Sequence, residues 1–233
     1  MKSYNVKDYD IVYDHQYLEA LPEEKRGPLS DSSALSLAWR PGHKEVSTLI
    51  KDCTIDGRAA SEGLKLSFRS NVYVRGCLIF GGYEDCVDIV RGNDIVFDDC
   101  TFMSMNSKQH ITIKGGAHNI IIKDCLFVNK YRKWYDGACI DLGNWTNYDI
   151  VKRPRVRNIT INNCKTFDTG SILARILYSD PPQVINTEGN ILRVPRLVTN
   201  LFYWMRRKGW LGKLFIPDKN ELILQPKELC DKQ

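Results

Sequence analysis

Five copies of one short pattern constrain this chain more than anything else in it. They are Ser47-Thr-Leu-Ile-Lys-Asp-Cys53, Asn71-Val-Tyr-Val-Arg-Gly-Cys77, Asp94-Ile-Val-Phe-Asp-Asp-Cys100, Asn119-Ile-Ile-Ile-Lys-Asp-Cys125 and Asn158-Ile-Thr-Ile-Asn-Asn-Cys164. The cysteines fall 24, 23, 25 and 39 residues apart, and the last interval is one repeat plus an insertion of about 14 residues. A small polar residue stands six before each cysteine, and an apolar one stands two after it at Ile55, Ile79, Phe102 and Phe127. A shorter alternating segment precedes each of the last four copies: Leu64–Phe68, Val87–Val90, Ile111–Lys114 and Ile140–Leu142. Leu35-Ser-Leu37 opens that series.

A period of two within segments and about 24 between them is the grammar of stacked short strands. The expectation is an all-β, single-stranded, right-handed parallel β-helix of five or six coils, each coil burying its inner face on its neighbours. A leucine-rich solenoid needs leucine-dense strands and helical connectors, and neither is present. The polar residue six before each cysteine suits a corner in the left-handed backbone region. The cysteines then form an inward column of small apolar side chains, reduced and without a metal role, since no Cys-x-x-Cys or Cys/His cluster occurs.

The repeat sets the boundaries. Residues 1–33 read as an N-terminal cap, with Tyr9–Tyr13 a short strand and Gln16–Leu21 a helical turn. Residues 34–190 read as the solenoid. Residues 191–233 read as a C-terminal helix and tail, the helix running from Leu197 to Lys208 with Leu197, Leu201, Trp204 and Met205 on one face. That helix is expected to cap the open end, and its apolar face offers a contact for a homo-oligomer.

Parity assigns the faces. With Leu64, Val87, Ile89, Ile111, Ile113, Ile140 and Leu142 inward, Lys65, Asp88, Thr112 and Asp141 form an outward column, with Lys114 beside it. Extending the alternation upstream turns His110 outward too, with Glu84 and Lys108 beyond it. One solvent-facing sheet is thereby expected to collect acids and bases, the chemistry of a polar-substrate cleft.

At Val87-Asp-Ile-Val-Arg-Gly-Asn-Asp-Ile-Val-Phe97 the chain resembles pectate lyases of the parallel β-helix class, over roughly residues 60–165. The resemblance implies a polysaccharide lyase that removes the proton α to a uronate carboxylate. It implies calcium held by Glu84 and Asp88, four residues apart, with Asp85 assisting. It implies Lys108 on the substrate carboxylate, and an Arg-x-Pro-x-Val-Arg element at Lys152-Arg-Pro-Arg-Val-Arg157. There Lys152 or Arg155 is the base and Arg157 supports the carboxylate. Lys65, His110 and Lys114 would complete the substrate contacts.

Glu84-Asp-Cys-Val-Asp-Ile89 also looks like the Asp-Asp-Cys-Ile-Ala-Ile of polygalacturonases, with Ser61-Glu62-Gly63 and His110 echoing two further motifs. That likeness implies a hydrolase with Asp88 and Asp141 as the carboxylate pair. Two strand spacings put them roughly 9–10 Å apart, at the edge of the inverting range of about 6.5–9.5 Å. A third reading is a non-catalytic glycan-binding or structural β-helix of a virus or phage particle. Trp134, Tyr135, Trp145 and Tyr148 in the insertion suit stacking on sugars.

Net charge is +5 with a pI near 8.7. This fits an acidic polysaccharide as partner and is too weak a basic excess to argue nucleic acid. No run of about 18 apolar residues argues for a membrane span. The first residues carry no apolar signal core, so the expectation is cytosolic synthesis, with association to a virion or release by lysis.

Overall fold

The computed structural model describes residues 9–19, 33–38, 45–105, 109–129, 139–143 and 156–167, with Asn129 as backbone only. It also gives the backbone of five further strands, 174–177, 183–188, 191–195, 214–215 and 221–225.

The described strands form three sheets, and the chain visits them in rotation. Sheet I has seven strands: Ile11–Asp14, Thr48–Lys51, Ser70–Arg75, Asn93–Asp98, His118–Lys123, Arg157–Asn162 and Gln183–Glu188. Sheet II has eight: Tyr17–Glu19, Thr54–Asp56, Leu78–Phe80, Thr101–Ser104, Leu126–Asn129, Lys165–Phe167, Ile191–Pro195 and Glu221–Gln225. Sheet III has seven: Ser33–Ala38, Glu62–Ser67, Val87–Val90, Ile111–Lys114, Ile140–Gly143, Ala174–Leu177 and Leu214–Phe215. Neighbouring strands run parallel except the last pair of sheet III, where Ala174 faces Phe215 antiparallel.

Each coil therefore passes through III, I and II and returns, as a parallel β-helix does. The sequence expectation for the fold holds. Two details differ. Gln16–Leu21, read as a helical turn, contains the strand Tyr17–Glu19, which pairs with Thr54–Asp56 in sheet II. The stretch read as a trailing tail contains Glu221–Gln225, which pairs with Ile191–Pro195. A new coil's open strand edge accepts backbone hydrogen bonds from any extended segment beside it, which hydrophobic periodicity does not register. The expected helix Leu197–Lys208 and the aromatic residues of the insertion lie outside the described residues.

Like residues stack in columns. In sheet I, Ile50, Val74, Phe97, Ile122 and Ile161 follow one another in register. In sheet II, Ile55, Ile79, Phe102 and Phe127 do the same. Leu64, Val87, Ile111 and Ile140 line sheet III. These side chains form one continuous core. Phe102 and Phe127 stack with centroids 5.2 Å apart, and Phe97 meets Phe102 edge-on at 5.6 Å.

Two corner columns explain the repeat. Asn71, Asp94, Asn119 and Asn158 have φ of 54, 53, 55 and 53°. This is the left-handed conformation that asparagine and aspartate tolerate best among side-chain-bearing residues. One strand later, Asp52, Gly76, Asp99, Asp124 and Asn163 turn the chain the same way. Each cysteine follows that second corner and is buried. Its thiol donates to the carbonyl two residues back: Cys53 to Lys51 at 3.1 Å, Cys77 to Arg75 at 3.2 Å, Cys125 to Lys123 at 3.0 Å. The position needs a small, nearly apolar side chain with one weak donor, which cysteine supplies. No disulfide occurs among the described residues.

Candidate functional site

The outward column of sheet III is in register as read from the sequence. Ser36, Lys65, Asp88, Thr112, Asp141 and Arg175 are cross-strand neighbours in that order. The expected open, solvated face is not there. Asp88 is 2% exposed, and Asp141 and Thr112 are 0% exposed. Lys65 and Lys114 are the partly exposed members.

Upstream of this column the alternation breaks. Cys86 and Val87 both point into the core, as do His110 with Ile111 and Cys139 with Ile140. His110 N–H and Ile111 N–H both donate to the Cys139 carbonyl, at 3.0 Å each. Two residues thus oppose one, which bends the strand and resets its parity as a bulge does. Gly63 occupies the same inner position in the preceding coil. A Cβ there would stand 2.6 Å from the Phe80 carbonyl oxygen and 2.8 Å from that of Cys86.

Two corrections follow from this bend. His110, expected among the substrate contacts, is 1% exposed. Its Nε2–H donates to the Val128 carbonyl at 2.8 Å, and its ring packs edge-on against Phe127 at 5.4 Å. Burial pushes its pKa down to about 4, against the opposing pull of the Val128 bond, so it is a neutral core side chain. Conversely, Asp85 and Glu62 swing to the outer face beside Asp88. Glu84 remains exposed.

The result is a buried carboxyl cluster with two ammonium groups. Lys114 Nζ lies 2.9 Å from Asp88 Oδ1, and Lys65 Nζ lies 3.7 Å from Asp88 Oδ2. Asp88 is thus ion-paired from the coil on either side. Lys65 Nζ also lies 3.5 Å from Glu62 Oε1, whose partner oxygen accepts from Ser33 Oγ at 3.1 Å. Burial pushes the Glu62 carboxyl up, against the attraction of Lys65. Asp85 is pushed up to about 7, first by burial and then by the charges of Asp88 and Asp141, while Thr112 and Lys114 pull it down. The approach to one strand therefore carries a carboxyl that keeps its proton to neutrality, and the strand itself, three residues on, a carboxyl clamped by lysines.

Calcium does not fit this set. Its ligands are hard oxygens gathered around the ion. Glu84, Asp85 and Asp88 do not bring oxygens together within 4.8 Å; among the described residues only Asp14, His15 and Asp52 form such a group. An ammonium 2.9 Å from Asp88 also repels a cation at the same carboxylate. Arg157 does not join the site, since it opens an exposed end of a sheet I strand, beside His118. Lys108, Lys152 and Arg155 lie outside the described residues.

Sequence reasoning missed Glu62 as a site residue and placed Asp85 among metal ligands. A signal was present in the pairs Glu62-Gly63, Asp85-Cys86 and Gln109-His110. Each sets a polar residue before a small or aromatic one just upstream of the apolar strand, as a strand with two adjacent inward positions requires.

No curated protein matches the chain. Residues 42–153 match the family model described as "right handed beta helix region". That match and the three-sheet coil establish the chain as an all-β, right-handed parallel β-helix.

Proposed function

We propose that this carbohydrate-active β-helix protein hydrolyses glycosidic bonds in an acidic, uronate-containing polysaccharide. The observation that carries the reading is the pairing of Asp85, just upstream of the sheet III strand and protonated to about pH 7, with the lysine-clamped Asp88 on that strand. A carboxyl held protonated by burial and one held by two ammonium groups can divide acid and base work between them. Asp85 donates a proton to the leaving oxygen, and Asp88 orients and deprotonates the attacking water. Lys65 and Lys114, the partly exposed members, meet the substrate carboxylate first. A lyase needs a cation or a cationic base at the acidified carbon. The described carboxyls form no calcium set, and a protonated Asp85 beside the lysine-clamped Asp88 supports hydrolysis.

The test is incubation with polygalacturonate and other polyuronates. New reducing ends without ultraviolet-absorbing product are expected. Asp85→Asn and Asp88→Asn should each lower the rate by about 10²- to 10⁴-fold, the usual worth of a positioned acid or base. Unsaturated product would assign β-elimination instead. No product from a broad panel would leave the role of a structural or glycan-binding component, of a virus or phage particle among others.

A further inference from the structure

A second groove runs across sheet I, on a different sheet from the carboxyl cluster. Its volume is about 660 Å³. One wall is the corner column Asn71, Asp94, Asn119 and Asn158, all exposed. Three of these side chains join head to tail. Asn158 Nδ2 donates to Asn119 Oδ1 at 3.0 Å, and Asn119 Nδ2 donates to Asp94 Oδ1 at 2.9 Å. An amide carries two N–H donors and two lone pairs on its oxygen. By that count Asn119 keeps one N–H and one lone pair for a ligand. The floor is apolar, formed by Val96 and by Ile121, which is 38% exposed. Tyr73 lines the groove too, its hydroxyl donating to Asp98.

Charge identifies the occupant. The chain carries +5, yet among the described residues no lysine or arginine lines this groove and the single charged lining residue is Asp94. A polyanion, whether nucleic acid or polyuronate, finds no counter-charge among these lining side chains. The groove lies on a sheet face whose backbone groups are already paired between strands, so an extended peptide has no edge to join. What remains is a regular row of donor–acceptor side chains beside an apolar strip. It repeats once per coil and covers three strand spacings, roughly 14 Å. Hydroxyls on one side and C–H faces on the other are the chemistry of a sugar chain.

We propose that this groove binds an uncharged glycan chain lying along the solenoid axis. Its hydroxyls meet the asparagine row, and its C–H faces lie on Val96 and Ile121. The site is independent of catalysis at sheet III. It would hold a neutral stretch of polymer whether or not the carboxyl cluster cleaves the acidic one.

The test is titration calorimetry of the full chain with neutral gluco-, xylo-, manno- and galacto-oligosaccharides, with oligogalacturonate as the charged comparison. At least one neutral series should bind, with an affinity that changes less than about twofold between low and high salt, because no ion pair is screened. Ile121→Arg, at an exposed position, and Asn119→Gly, which keeps the left-handed corner, should each weaken binding by about tenfold or more. Asp88→Asn on sheet III should leave it unchanged. Circular dichroism confirms that each variant is folded. Absence of binding to every neutral series overturns the proposal. So does binding confined to the uronate, or binding that both sheet I variants leave intact.

Discussion

Two buried side chains give this protein opposite responses to pH. Asp85 keeps its proton to about pH 7 in the fold, whereas in the unfolded chain it titrates near 3.9. Its contribution to stability is therefore complete below about pH 4 and is lost as pH rises through 7, by up to ~4 kcal/mol. His110 is the converse. Held to about 4 against an unfolded value near 6.5, it contributes fully above 6.5. That contribution is lost as pH falls toward 4, by up to ~3 kcal/mol. Urea midpoints should show this directly. Asp85→Asn is expected to lift stability at pH 8 relative to pH 4. His110→Gln should flatten the loss between pH 6.5 and 4, whatever its uniform cost. A wild-type slope that neither variant changes would contradict both burial assignments. The same two residues mark where the sequence stops being legible. Period-two alternation recovers Asp88, Lys65 and Asp141 on one column because that part of the strand is regular. It misplaces His110 and leaves Glu62 out of the site because a bulge at His110 and Ile111, opposite Cys139, and a glycine at 63 reset the count. Nothing in residue type distinguishes an outward histidine from one seated on a phenylalanine.

At the scale of the element, the corner and the bend carry the folding information. Asp99 turns its corner at φ 54°. Asp99→Gly is expected to be neutral or stabilising, while Asp99→Ala should cost about 1–2 kcal/mol, the penalty of placing a side chain in the left-handed region without local hydrogen bonding. Equal midpoints for the two would show that the corner's conformation does not set its preference. Gly63→Ala should cost more, since its Cβ meets two backbone carbonyl oxygens inside van der Waals distance. Overpacking of this kind is worth about 1–3 kcal/mol, and here it presses on the strand that positions Glu62 and Lys65. The corners were readable because asparagine and aspartate announce them. The bend was not, because its glycine, cysteine and histidine share no chemistry beyond fitting an inner position.

Over the whole molecule, the columns make one uninterrupted core, and the cysteines belong to it. Burial pushes the thiols of Cys86, Cys100 and Cys125 well above their ordinary range. All seven described cysteines are buried. An exposed-thiol reagent should therefore leave these seven unlabelled in native buffer and modify all eight cysteines of the chain in denaturant. Rapid labelling of several in the native protein would mean that coils open locally. The fold as a whole was legible from the cysteine frame alone. Whether sheet III faces water was not, because alternation assigns a side chain to a face and says nothing of what lies over that face.

The interval of 39 residues between Cys125 and Cys164 has a wider meaning. Across it, Ile122 still faces Ile161 and Phe127 still faces Thr166, so the added residues leave the ladder's registration untouched. Such a frame separates inheritance into two channels. Coils behave like teeth on a rack: adding one advances every column by a single step of about 4.8 Å and lengthens the sheet I groove without altering its composition. Excursions between the sheets, here mostly between Gly143 of sheet III and Arg157 of sheet I, can grow or be exchanged independently. Descendants of this chain can thus vary reach and chemistry separately, which a fold built around a single closed core does not permit.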